Sequence, residues 1–221
     1  RSVFHEATHT TPDAISIQKH LSEMLAKGIT HCFMEVSSHG IAQHRVSGLN
    51  FNGGVFTNLT HDHLDYHGSF KNYRDIKKVF FDLLPPKAFA LSNADDKNGM
   101  YMMQNTKAKK IHYALKRAAD YQAKILEQQF SGMLLKINNQ ELWTALVGNF
   151  NAYNLLAVFA TTEQLGVDPL EVLKQLSKLK SLVGRFQIFQ TKEETTIIID
   201  YAHTPDALEN VLKTINAIRT R

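Results

Sequence analysis

The chain has 221 residues, enough to bury a substantial core but short for two average domains. A hydrophobic fraction of 43%, a charged fraction of 21% and a net charge of +4 spread along the chain are those of an ordinary globular protein and weak evidence for a nucleic-acid partner. No apolar run approaches the roughly 20 residues that cross a bilayer, no basic-then-apolar stretch opens the chain, and a single cysteine rules out an internal disulfide, so a cytoplasmic protein free of membrane and nucleic acid is expected.

Thr11 and Pro12 precede Asp13, after which Ile15, Ile17, Leu21, Met24 and Leu25 recur near helical spacing up to Gly28, predicting an N-terminal helix. Ile29 to Val36 is short, apolar and bounded by polar residues, which predicts a buried parallel strand carrying Glu35 and Ser37 to its end, with Cys32 as a small core residue. Gly54 to Leu59 reads as a second such strand. Phe70 to Leu84 predicts a helix stopped by Pro85 and Pro86, and Lys87–Leu91 and Lys110–Leu115 predict further strands. From Ala123 to Val147, alternation broken at Ser131 and Gly132 predicts antiparallel strands. Helical spacing returns over 151–166 and 168–179. After a break at 181–185 come a strand, Thr196–Ile199, and a helix opened by Thr204 and Pro205. The expected fold is α/β, a mostly parallel central sheet flanked by helices with an antiparallel insertion. The last unit is too short to fold alone, so the chain is expected to stop inside a domain.

Chemistry concentrates in Glu35 to Lys78, which holds five histidines, three aspartates, two adjacent serines and a lysine pair around those apolar runs. In open α/β sheets ligands collect at strand ends. His61, His63 and His67 lie together in HDHLDYH. Taken alone, H-x-H-x-D fits a two-metal hydrolase with imidazole ligands, although such sites draw further histidines from distant strand ends. Glu35 reads equally as a strand-end carboxylate paired to a lysine, the Lys77–Lys78 pair as a solvated helix stripe, and the threonines before Pro12 as a helix cap. Neither serine sits in a G-x-S-x-G elbow.

Seven segments in order, EVSSHGIAQHR, FTNLTHDHLDYHG, YRDIKKVFF, LSNADD, GNFNAYN, VGR and DYAHTPDAL, span nearly the whole chain. Together they resemble the Mur ligases, most nearly the type that adds the third amino acid to UDP-N-acetylmuramoyl-L-alanyl-D-glutamate. The resemblance implies an ATP-dependent amide ligase of peptidoglycan precursor synthesis, working through an acyl phosphate with magnesium, and a monomer. It also implies a central ATPase domain over residues 1–184 and the truncated start of a Rossmann-like C-terminal domain over 185–221. The family's G-x-x-x-x-G-K-[ST] phosphate loop is absent from these residues, which implies an incomplete chain, inactive alone or no more than a muramoyl-binding module.

The same resemblance assigns roles. Glu35 and His63 become magnesium ligands. Lys77, in the Y-x-x-x-K-x-x-x-F pattern Tyr73–Lys77–Phe81, becomes an N6-carboxylysine (carbamate) that helps organise the metal, with Lys78 solvated on the other face. Thr10, Thr11, Ser37, Gln43 and Arg45 contact the UDP-muramoyl dipeptide. Asn151 and Asn154 face adenine, Arg185 meets the phosphates, and Asp200 and His203 lie beside the nucleotide, with Tyr201 next to them. The residues that select the incoming amino acid are expected beyond Arg221.

Overall fold

The computed structural model describes residues 4–60, 64–193 and 195–219, with the backbone alone for Leu64. Helix α1 (Ala14–Ala26) is capped by Asp13, whose carboxylate accepts from the N–H groups of Ile15 and Ser16; the cap is therefore Asp13 and not the threonines before Pro12. Short α2 (Ser38–Ala42) is capped by Ser37. Strand β1 (Gly53–Phe56), α3 (Leu64–His67), α4 (Phe70–Asp82), β2 (Phe89–Asn93), α5 (Gly99–Met102) and β3 (Lys109–Ala114) follow. Then come β4 (Tyr121–Gln129), β5 (Gly132–Ile137), β6 (Gln140–Thr144), α6 (Asn149–Gln164), α7 (Pro169–Leu176), β7 (Gln187–Gln190), β8 (Thr196–Ile199) and α8 (Pro205–Ile218).

Six strands form one sheet in chain order, with β1 to β4 pairing in parallel and β4 to β6 antiparallel. The antiparallel strands continue the main sheet at its far edge, joined to it through β4. Strands β7 and β8 pair antiparallel in a sheet of their own. Strand β7 went unpredicted because it is short and half-polar; only β8 across from it makes it a strand.

Strand β2 is buried throughout, and its side chains alternate between two cores as strand geometry requires. Phe89 and Leu91 enter the core beneath α6 and α7 with Ile111, Leu135 and Phe159, whereas Ala90 enters the one beneath α4 and α5 with Phe56, Phe81 and Met102. Helices on both faces are what a parallel sheet needs. Packing on β1 is close: a Cβ on Gly54 would stand 2.7 Å from a ring carbon of Phe80. Among the described residues no helix is long and apolar enough to cross a membrane.

Two expectations fail here. Residues 29–37 form no strand, and Ile29, Cys32, Phe33 and Glu35 are exposed. Apolar composition does not make a strand without a ladder partner for its N–H and C=O groups, and among the described residues β1 pairs only with β2. Lys78 is not solvated. It is 5% exposed, on the buried face of α4, with its ammonium 2.6 Å from both carboxylate oxygens of Asp82.

A carboxylate bracket ties the carboxyl ends of the strands together. Asn93 Nδ2 donates to the Thr57 carbonyl, and Asp96 accepts from the Leu59 N–H, fixing the loop after β1 that leads to the histidine cluster. Asp95 accepts from the N–H groups of Leu115 and Lys116 and from the Tyr153 hydroxyl, all within 2.9 Å, joining the end of β3 to α6. Burial pushes the Asp95 carboxyl up, but the Tyr153 hydroxyl and these backbone donors outweigh it and hold it below the ordinary carboxylate value. Because the folded pKa is lowered, the bracket stabilises above the unfolded value near 3.9 and is lost as pH falls through the folded value. Asp95→Ala is expected to cost about 2–3 kcal/mol at pH 7, as loss of hydrogen bonds to a charged group does. Urea unfolding at pH 7 and pH 3 checks this: the gap between variant and parent should shrink on acidification, and an equal gap at both pH values would contradict the charged bracket.

Candidate functional site

Thr11, fully buried at the mouth of α1, organises the first group of residues. Its hydroxyl donates to the Glu35 carbonyl, accepts from the Ser37 N–H at 2.9 Å and lies 3.1 Å from Ser37 Oγ. A side chain therefore holds the 35–37 backbone where a neighbouring strand was expected. Arg45 donates from Nη1 to the Thr11 carbonyl at 2.7 Å and from Nε to Gln43 Oε1 at 2.9 Å, and Gln43 Nε2 reaches the Tyr66 hydroxyl at 3.3 Å. Thr11 thus forms one hydrogen-bonded lattice with Ser37, Gln43 and Arg45, which lie 26 to 34 residues further along the chain. Thr10, Glu35, Gln43 and Arg45 line a single cavity of about 910 Å³ between α1 and the 32–35 segment, within the size range of small-molecule sites.

From Tyr66 an aromatic series leads on to Lys77. Tyr66 packs on His39 at 4.1 Å and on His67 at 4.8 Å between ring centroids; His67 stacks on Tyr73 at 5.2 Å, and Lys77 Nζ lies 5.4 Å from the centre of the Tyr73 ring. Tyr73 and Lys77 share a face of α4 one turn apart. Lys77 is half-buried. His67 is itself buried, with Nε2 2.9 Å from Ser38 Oγ, so of the three clustered histidines this one holds α2 against α3 and α4. His63, with His61 and Asp62, lies outside the described residues.

A second group gathers where α6 begins. Gly148 caps α6 at φ +100°, a backbone state that suits glycine, and Asn151 Nδ2 donates to the Val147 carbonyl at 2.8 Å, while Asn154 one turn on is exposed. Phe150 meets the buried Phe186 edge-on at 5.7 Å. Phe186 has φ +45°, a strained state for an aromatic residue, held by burial and by Asp200, which accepts the Phe186 N–H at 2.7 Å and the Ala202 N–H through its other oxygen. The Arg185 guanidinium lies 5.0 Å over Tyr201, which packs on His203, and all three are exposed. The structure thereby brings Asn151, Arg185, Asp200 and His203 around the Phe150–Phe186 contact. Asp200 thus holds the Phe186 turn, and Thr204 caps α8.

The description of the Mur ligase middle domain matches residues 2–162, and that of the Mur ligase glutamate ligase domain matches residues 184–221. The chain belongs to the Mur ligase family. It is 53% identical over 214 residues to a UDP-N-acetylmuramoyl-L-alanyl-D-glutamate--2,6-diaminopimelate ligase of Cytophaga hutchinsonii, covering 97% of this chain and 44% of that protein. It is 55% identical over 210 residues to the ligase of the same name from Parabacteroides distasonis, covering 95% and 43%. A solved structure of a ligase with that name superposes with a TM-score of 0.82 at 33% identity, over 96% of this chain and 45% of that one. The chain spans less than half the length of these relatives. A Mur ligase chain is a mixed α/β fold with a mostly parallel sheet, as expected. These relatives are ligases, and the hydrolase reading of the histidine cluster draws no support from them or from His67, whose Nε2 faces Ser38.

Sequence reading missed Tyr66, which links Gln43 to the aromatic series, and Asp95. Asp95 had a signal, a doubled acid directly after an apolar strand, but its partners lie up to 58 residues away.

Proposed function

We propose that the protein carrying this chain is an ATP-dependent, cytoplasmic ligase that joins a third amino acid to UDP-N-acetylmuramoyl-L-alanyl-D-glutamate in peptidoglycan precursor synthesis. The names of its relatives favour 2,6-diaminopimelate as that amino acid. The observation that carries the reading is the cavity that collects Thr10, Glu35, Gln43 and Arg45 beside the Thr11–Ser37 lattice. In this reading residues 1–184 are the central domain and 185–221 open the C-terminal one, and the protein acts as a monomer.

The chain's own residues divide the work. Arg45 is held flat by the Thr11 carbonyl and Gln43, so its planar fork is oriented in advance for a carboxylate or diphosphate oxygen at the cavity wall. Ser37 and Thr11 fix the wall itself. Glu35 offers a hard oxygen at that wall, and an exposed carboxylate there fits a magnesium site. Addition of carbon dioxide to the neutral Lys77 amine, with loss of a proton, turns a cation into an oxygen donor at the end of the aromatic series. His63 completes the proposed ligand set. Magnesium, when bound with ATP, neutralises charge on the transferring phosphoryl group. Asn151 and Asn154 at the start of α6 are assigned to adenine, and Arg185, Asp200 and His203 to the phosphates and ribose.

Arg45→Ala in the intact protein is expected to weaken binding of the UDP-muramoyl dipeptide by about 1.5–3 kcal/mol, roughly 10- to 150-fold in Kd, with folding preserved. Calorimetric titration with that dipeptide tests the reading, and an unchanged Kd would remove Arg45 from the substrate site. Turnover with diaminopimelate but not L-lysine, measured as substrate-dependent phosphate release, tests the amino acid.

A further inference from the structure

His5, His20 and Glu23 bring one ligand atom each within 4.8 Å of one another, and the reaction proposed above uses none of them. His20 and Glu23 stand one turn apart on α1, on one side of the helix. His5 comes from the segment before it, and its ring lies 4.8 Å from that of His20, tilted by 53°. All three line the 910 Å³ cavity.

We propose that this trio is a zinc site. Two imidazoles and one carboxylate are a donor set that suits zinc far better than magnesium, which prefers oxygen. Zinc bonds to such atoms are about 2.0–2.1 Å long, so ligands around one ion sit about 3.3 Å apart, and rotation of partly exposed side chains on a segment and a helix closes the present spacing. Three protein ligands leave coordination open on the cavity side, to water or to an oxygen of whatever the cavity holds. Bound zinc would clip the segment before α1 onto that helix, in the cavity that Arg45 also lines. The inference rests on this geometry and donor set and is independent of the ligase reading.

The test is zinc titration of the intact protein, freed of metal with a chelator and without nucleotide, followed by calorimetry and by the visible absorption of cobalt as a stand-in. One equivalent is expected, unaffected by millimolar magnesium. His5→Ala, which lies outside the helix, and His20→Ala should each weaken it by at least about tenfold, since even loss of an outer partner of a metal ligand costs roughly that much; Lys19→Ala should not. No zinc binding, or an equivalent that the double variant His5→Ala/His20→Ala retains with unchanged affinity, would overturn the proposal; the second result would send the metal to the His61–His63 segment.

Discussion

Changing Lys77 to alanine in the intact protein is expected to lower ligase turnover by about 10²- to 10³-fold, the size of effect that follows removal of one preorganised electrostatic group from a transfer site. Lys77 is half-buried at the end of the Tyr66–His67–Tyr73 series, one helical turn from Tyr73. If it carries a carbamate, its loss removes an oxygen anion from the metal site. Short carboxylic acids such as acetate should then restore part of the activity by occupying the vacated space. Steady-state kinetics with and without acetate decides this, and full activity of the variant would take the carbamate out of the mechanism.

Lys78 is the informative comparison, though not as a silent one. It is buried and paired with Asp82. Lys78→Ala should therefore leave a carboxylate without its partner and cost about 1.5–3 kcal/mol of stability, lowering the melting temperature while the folded fraction retains its turnover. Adjacent lysines on one helix thus separate by readout, Lys77 in rate and Lys78 in stability. Equal loss of rate at both would mean that α4 as a whole, and not the Lys77 amine, was being measured.

The 221 residues alone are expected to release no phosphate from ATP above background, with or without the UDP-muramoyl dipeptide. They contain no glycine-rich phosphate loop, and fixing the reacting groups in line is worth on the order of 7–11 kcal/mol in such reactions. Residues proposed to contact the nucleotide, such as Arg185 and Asn151, cannot replace a backbone cradle for the phosphates. A malachite-green phosphate assay on the purified chain checks the expectation. Substrate-dependent release well above background would show that another set of donors on this chain holds the phosphates.

Local chemistry made much of the fold legible. Asp13 before an apolar period and Thr204–Pro205 announce helices because caps act within three residues. Val55–Phe56 and the run ending at Leu91 announce strands as short apolar runs between turn residues, and the stretch after Ala123 does so because its side chains alternate at period two. Ordered motifs along the chain carried the family, since a ligand site built from many loops leaves its residue types in sequence order.

What tertiary structure alone decided concerns partners. Ile29 to Val36 is as apolar as a core strand, yet without a ladder beside it the segment is held by the Thr11 hydroxyl and leaves Cys32 and Phe33 exposed. Lys77 and Lys78 are neighbours of the same type; a rotation of about 100° between successive helix positions places one beside Tyr73 and the other beside Asp82 in the core. Asp95 and Asp200 look alike as acids after strands, but one brackets β3 to α6 and the other holds Phe186 in its strained turn. A residue's own chemistry is written in the sequence, whereas the group that satisfies it comes from elsewhere in the chain and is fixed only when the chain folds.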